Sequence, residues 1–220
     1  MPTRRAAVRA AVALALVMAV SGLAASCRSA GQHAPIVHPG APGEASRTIT
    51  AAKAVDLSGV GYTPTDVRFM QGMIGHHAQA IEMTELLRTR SQRDDMRLLA
   101  RRIEISQADE IGLMRGWLQR RGQEVPSEHA HHMPGATLMP GMLSPEEMDR
   151  LAAATGDQFD RLFLEGMIKH HDGALIMVSD LFASAGAGQE PEIFAFASDV
   201  DADQRIEIDR MSAMLSELKK

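Results

Sequence analysis

Cysteine is almost missing from this chain. Of 220 residues only Cys27 is one, which excludes an internal disulfide and any site built on two or more thiolates. Aromatic side chains are nearly as scarce, at 4%, with one Trp and one Tyr. The stacked aromatic platforms that bind single-stranded nucleic acid are therefore not available. There is no glycine-rich phosphate loop, nucleophile elbow, His-Glu-x-x-His zinc motif or heme-attachment cysteine pair. β-branched alternation is also missing, so no strands are expected. What the chain has in abundance is methionine, at 15, with 9 histidines.

The N-terminus reads as an export signal. Arg4, Arg5 and Arg9 form a basic start, and Ala10 to Val20 is an apolar run, too short for a spanning helix of ~20 residues. Small residues follow in LAASC, Leu23 to Cys27. This resembles a bacterial lipoprotein signal in which Cys27 becomes the lipidated first residue of the mature protein. An ordinary cleaved signal is the other reading, and both Sec and twin-arginine export stay open. The leader holds three Arg and no acid, so taking it from the 23 basic residues leaves 20 against 28 acids, a formal −8. That charge disfavours nucleic acid and anionic lipid as partners and suits cations. Membrane attachment is expected only through the lipid.

Residues 28–61 are rich in Gly, Pro, Ala and Ser without a sustained period, which predicts a disordered tether. Order is expected from TPTD, Thr63 to Asp66, where Thr63 is an N-cap with Pro64 at the first helical position. The same grammar returns at SPEE, Ser144 to Glu147, a capping box. Phe69, Met73, Ala80 and Leu87 mark one helical face, and Phe163, Met167, Ala174 and Leu181 repeat it. A second helix carries Leu98, Leu99, Ile103, Ile111, Met114 and Leu118; a fourth carries Ile193, Phe196, Val200, Ile208, Met211 and Leu215. The reading is an all-α four-helix bundle over 62–220 built from a duplicated hairpin, with halves of about 63–122 and 144–219. A linker of about 20 residues, 123–143, joins them, longer than a plain turn.

The chemistry gathers in two matching stretches. MIGHHAQAIEM runs from Met73 to Met83 and MIKHHDGALIM from Met167 to Met177. At about 100° per residue, His77 falls near +40° and His76 near −60° from Met73, on the core arc. Two adjacent histidines cannot share a radius, so each pair should send one ring inward and one toward a neighbouring helix. Imidazole nitrogen and thioether sulfur suit Cu(I) and other soft ions over Mg, Ca or Mn. A thioether needs no deprotonation to bind, and it avoids disulfide chemistry outside the cytoplasm. The bland reading is that methionine fills cores and an inward histidine is hydrogen-bonded. Duplication copies structural residues too, so both readings stand.

The linker adds His129, His131, His132, Met133, Met139 and Met142, a compositional metal-binding signal and a candidate auxiliary site; incidental histidines in a polar loop are the alternative. Carboxylates contribute no Glu-x-x-His pair of the di-iron kind: Glu128 directly precedes His129, and Glu165 lies five residues before His170. Glu104, Glu110 and Glu207 read as solvated or salt-bridged, although Glu110 and Glu207 hold matching places in the repeat.

FMQGMIGHHAQAIEM, Phe69 to Met83, and FLEGMIKHHDGALIM, Phe163 to Met177, resemble the bacterial family called domain of unknown function 305, as do GMLSPEEMDRLAAATGDQFDRLF and EIGLMRGWL. The resemblance spans about Thr63 to Leu218. It implies a ferritin-like four-helix bundle and, for some exported members, copper binding and tolerance. Carried over, the implied donors are Met73, His76, His77 and Met83 with Met167, His170, His171 and Met177. Gly75 stands where the family often has Pro.

The expected function is extracytoplasmic binding of Cu(I), Ag(I) or Cu(II) for sequestration or delivery, with copper as the ion and no organic cofactor. A metal-exchange protein or a second copy of the chain is the expected protein partner. An envelope interaction module with structural His and Met, or a metal-dependent oxidoreductase, are the alternatives.

Overall fold

The computed structural model describes residues 35–38, 45–55, 60–127, 129 and 137–218. Cys27 and its leader, and His131, His132 and Met133 of the linker, lie outside the described residues. The chain divides into two units, Met1–Asp56 and Leu57–Lys220. In the first, β1 (Ile36–His38) pairs antiparallel with β2 (Arg47–Ile49), and Thr50 caps a four-residue helix, α1 (Ala51–Ala54). Strands therefore form where a tether without them was expected. Three paired residues a side are too few to show as an alternating pattern.

The second unit is helical. Four long helices, α2 (Pro64–Arg90), α3 (Asp94–Arg120), α5 (Gly156–Ala183) and α6 (Pro191–Glu217), form two hairpins, with a short α4 (Pro145–Ala153) before α5. Thr63 and Asp66 make the reciprocal capping box that the sequence signals, with Pro64 at the first position. Ser144 and Glu147 make another, but it opens α4 and not the bundle helix. The chain turns again at Gly156, whose φ of +58° favours glycine, so the second half of the bundle starts there. Leu98, placed on the inner face of α3 by its spacing, is 61% exposed while Leu99 is buried. Neighbours about 100° apart cannot both face a narrow core. Among the described residues no helix is long and apolar enough to cross a membrane.

The hairpins meet chiefly through α2 and α5, which cross at their histidine pairs. Two apolar clusters fill the bundle. One takes Phe69, Met73, Trp117, Ala174 and Phe196 among others; the second takes Met83, Leu99, Phe163, Met167 and Met211. In every long helix the boundary between them falls at or beside polar residues: Gln79, just beyond His76 and His77, in α2, Gln107 and Glu110 in α3, His170 and His171 in α5, Gln204 and Glu207 in α6. A polar layer thus cuts across the middle of the apolar core.

Candidate metal centre

All four histidines of the doubled motif are wholly buried, at 0% exposure. Their rings form one row: His76 and His77 are 6.2 Å apart between ring centres, His76 and His170 3.8 Å, and His170 and His171 6.2 Å. The two motifs therefore converge. The inward rings, His76 and His170, meet at the centre. The outer rings turn to the partner helix of their own hairpin, as the helical step requires: His77 Nε2 to Glu110 Oε2 at 2.5 Å, and His171 Nε2 to Glu207 Oε2 at 2.6 Å. Glu110 and Glu207, read from sequence as solvated or salt-bridged, are the two ends of this row, at 13% side-chain exposure each.

The hydrogen bonds fix the tautomers. His76 Nε2 donates to the Pro140 carbonyl at 3.1 Å, and His170 Nε2 to the His76 carbonyl at 2.9 Å. Each of the four Nε2 atoms faces a carbonyl or carboxylate, which has no proton to give, so Nε2 carries the hydrogen. In the neutral ring the lone pair is then on Nδ1, and all four Nδ1 atoms are buried without a hydrogen-bond partner among the described residues. Burial first, and then the neighbouring His77, hold His76 neutral by lowering its pKa to about 3. Burial and the His76 ring push His170 well below its usual value. Buried acceptors without partners are uncommon in folded proteins, and an imidazole with Nε2–H held by an acceptor and Nδ1 open is in the state that ligates metal. The donor set fits a soft ion.

The methionines are distributed across the row. Met73 lies in one apolar cluster with Met177 packed against it, while Met83 and Met167 lie in the other. Each side of the imidazole row thus receives one methionine from each motif. Among the described residues no three His, Cys, Asp or Glu side chains are arranged to hold an ion.

The linker set divides. His129 is at the surface, with Nδ1 3.3 Å from Glu82 Oε1. Met139 and Met142 instead belong to a strap, residues 139–143, that crosses α2 and α5 beside the row. Gln79 clamps it, donating to the Leu143 carbonyl at 3.0 Å and accepting from the Leu143 N–H at 2.8 Å. Pro140 and Gly141 lie against Gly173 so closely that a β-carbon there would collide with them.

Two glutamines of the layer escaped the sequence reading. Both are buried, and among the described residues neither amide atom of Gln107 and not the Oε1 of Gln204 has a partner. A signal existed: Gln107-x-x-Glu110 and Gln204-x-x-Glu207 recur in aligned places, on stripes where an apolar residue would be ordinary. On the outer side, a cleft of about 590 Å³ between α3 and α6 has Glu110, Asp109, Asp199 and Asp203 in its wall. Burial, then Glu110, Glu207 and Asp199, raise the Asp203 carboxyl above its usual range.

Fold and layer together define a class: a two-hairpin helical bundle whose duplicated His/Met motifs meet at four buried histidines. The chain belongs to the family described as domain of unknown function (DUF305), which it matches over residues 66–215. A DUF305 fragment from Deinococcus radiodurans is 34% identical, with 71% of this chain and 98% of that one covered at a TM-score of 0.61. A DUF305 protein from Streptomyces coelicolor described as secreted is 30% identical, with 70% and 94% covered at a TM-score of 0.61. CopM in its Cu(I)-bound form is 29% identical, with 70% and 98% covered at a TM-score of 0.56. CopM structures with Cu(II) and with Ag also match. No curated protein matches the chain.

Proposed function

We propose that this protein is an exported binder of soft metal ions, Cu(I) or Ag(I) foremost and Cu(II) as well, which sequesters or delivers them. The donors are His76, His77, His170 and His171 with Met73, Met83, Met167 and Met177, and Cys27 carries a lipid that keeps the domain at the membrane surface. One observation carries the reading: four buried imidazoles in a single row, each with Nε2 occupied by an acceptor and Nδ1 without a partner among the described residues. A purely structural histidine needs its open nitrogen satisfied as well, because an unmade buried bond costs about 1–3 kcal/mol. Neutral imidazole and thioether are donors that a soft cation prefers. The relatives solved with Cu(I), Cu(II) and Ag support the same cargo, and the relative described as secreted supports export.

A second reading draws on the same bonds. The Nε2 contacts tie α2 to α3, α5 to α6, and α5 to α2, so the histidines also serve packing in a helical interaction module. A competitive Cu(I) titration of the chain from Ser29 separates the two, run beside a variant with all four histidines changed to Ala and with circular dichroism on both. Tight stoichiometric binding that is lost in a still-helical variant is the expected result. Undiminished affinity in that variant sinks the assignment, and weak binding by the parent favours the packing module.

A further inference from the structure

Gly72 and Gly166 hold the same place in the two halves, ninety-four positions apart. Each faces a methionine from the opposite half. A β-carbon at Gly72 would lie 3.5 Å from Met177 Cε, and one at Gly166 would lie 3.3 Å from Met83 Cε. To this point the halves match, and the strap then breaks the match. Over Gly72 it lays the sulfur of Met139, 3.1 Å from the same point; over Gly166 it lays Leu143, with Cδ2 at 3.2 Å. A thioether on one side is answered by a hydrocarbon on the other.

Access differs in the same sense. Met139 and Met177 are half-buried, whereas Met83 is wholly buried and Leu143 nearly so. The strap is held in this register by the two Gln79 bonds, by His76 on Pro140, and by the fit of Gly141 against Gly173. His76 lies one turn beyond Gly72 on the same face of α2, and a β-carbon at Gly75, its neighbour, would meet Met139 Cε at 3.6 Å. Two flexible, half-buried thioethers therefore lie against the same stretch of α2 that carries His76, whose Nδ1 has no partner among the described residues. Methionine side chains adapt to an ion without backbone movement, and a neutral N/S donor set selects a soft cation.

We propose that the duplicated motif yields one soft-cation site per chain, on the Gly72 side of the imidazole row, where Met139 and Met177 converge beside His76. The inference rests on the metal-binding reading above and narrows its donors: the strap makes the site one-sided, and the Gly166 side is core.

Ag(I), which is diamagnetic, tests this on the mature chain labelled at the methionine methyls. The expected result is one tightly held Ag(I), with the Met139 and Met177 methyl resonances shifted and those of Met83 and Met167 unmoved. Met139→Leu, close in volume and apolar, is expected to keep the circular dichroism melt and lose affinity by more than about tenfold, the smallest loss usual even for a supporting residue of a metal centre. Two equivalents of equal affinity that shift all four methyls would overturn the one-sided site and leave the metal-binding reading intact, as would unchanged affinity in Met139→Leu. If the parent holds no Ag(I) and no methyl moves, the metal-binding reading fails and the one-sided site fails with it.

Discussion

The Nε2 of His170 donates to the main-chain carbonyl of His76, its own counterpart in the other half, at 2.9 Å. The reciprocal bond is not made. His76 turns its Nε2 to Pro140 instead, so a carbonyl of the connecting strap stands where symmetry would put a carbonyl of α5. Duplication supplied two equal motifs, and the strap between them made their surroundings unequal. A repeat read from sequence is a statement about side chains, whereas the site depends on what the unrepeated segment adds.

The strap's seat is the first thing to test. A β-carbon at Gly173 would collide with the Pro140 carbonyl and Gly141 Cα, which are backbone and cannot swing aside. Gly173→Ala should lift the strap, break the His76–Pro140 bond, and cost about 1–3 kcal/mol as an overpacked site does. Gly112, in the middle of α3, faces open space, so Gly112→Ala should stabilise by up to about 1 kcal/mol through helix propensity. Urea denaturation of both variants checks the contrast. Equal effects would mean that the strap is not seated against α5.

Acid should loosen the bundle from an unusually high pH. His76 is held at about 3 and His170 is depressed with it, while both titrate near 6.5 in the unfolded chain. Below that value the unfolded state binds protons that the native state refuses, so stability is complete above about pH 6.5 and falls as pH drops. Each histidine contributes a slope of about 1.4 kcal/mol per pH unit. Denaturation midpoints measured from pH 7.5 to 5 should fall well before carboxylates titrate. A flat profile to pH 5 would show that the rings accept protons in place.

The buried amides of the polar layer pose a different question. Gln107 is 1% exposed, and neither amide atom has a partner among the described residues. Gln107→Leu removes that unmet demand and completes the stripe of Ile103, Ile111 and Met114. The urea midpoint should rise at an unchanged slope, for a gain of about 1–2 kcal/mol in stability. A loss of stability would indicate that water satisfies the amide and that the layer is wet.

The parts of this architecture that were legible in the sequence are the local ones. Thr63, Pro64 and Asp66 announce α2, and the same signals at Ser144 announce a helix, because caps are satisfied within a few residues. The split between His76 and His77 follows from the helical step alone. What was not legible depends on partners far along the chain. Glu110 and Glu207 gave no sign of facing His77 and His171, since spacing within α3 or α6 does not say which residue of α2 or α5 lies opposite. Met139 looked like one donor of a polar loop together with His129; only the Gln79 clamp on Leu143 and the glycines at 141 and 173 bring its sulfur to α2. Met73 and Met83 read as members of one quartet, but ten residues of helix, about 15 Å, put them on opposite sides of the histidines, and the antiparallel crossing of α2 and α5 groups Met73 with Met177 and Met83 with Met167.

The last asymmetry concerns charge. Ser106 and Asp203 hold the same place in the two halves, each four residues before its glutamate. Ser106 Oγ donates to Glu110 Oε1 at 3.3 Å, whereas Asp203 brings a carboxylate among Glu110, Glu207 and Asp199 and is raised by burial and then by them. An acid with a raised native pKa holds its proton more tightly folded than unfolded, so stability is lost as pH rises through its titration. Asp203→Ser should therefore stabilise the protein at pH 7, and the advantage should shrink toward acid, where Asp203 is neutral in both states. Only part of the side chain is shielded and most of it stays in water, so screening limits the gain to a few tenths of a kcal/mol from charge, with a further ~0.5–1 kcal/mol if the new hydroxyl bonds Glu207 as Ser106 bonds Glu110. Urea midpoints at low salt and at about 1 M salt, where the screening length falls to about 3 Å, divide these contributions. A gain that survives salt belongs to the hydroxyl, one that vanishes belongs to charge, and no gain at either would mean that Glu207 is already satisfied by His171 alone.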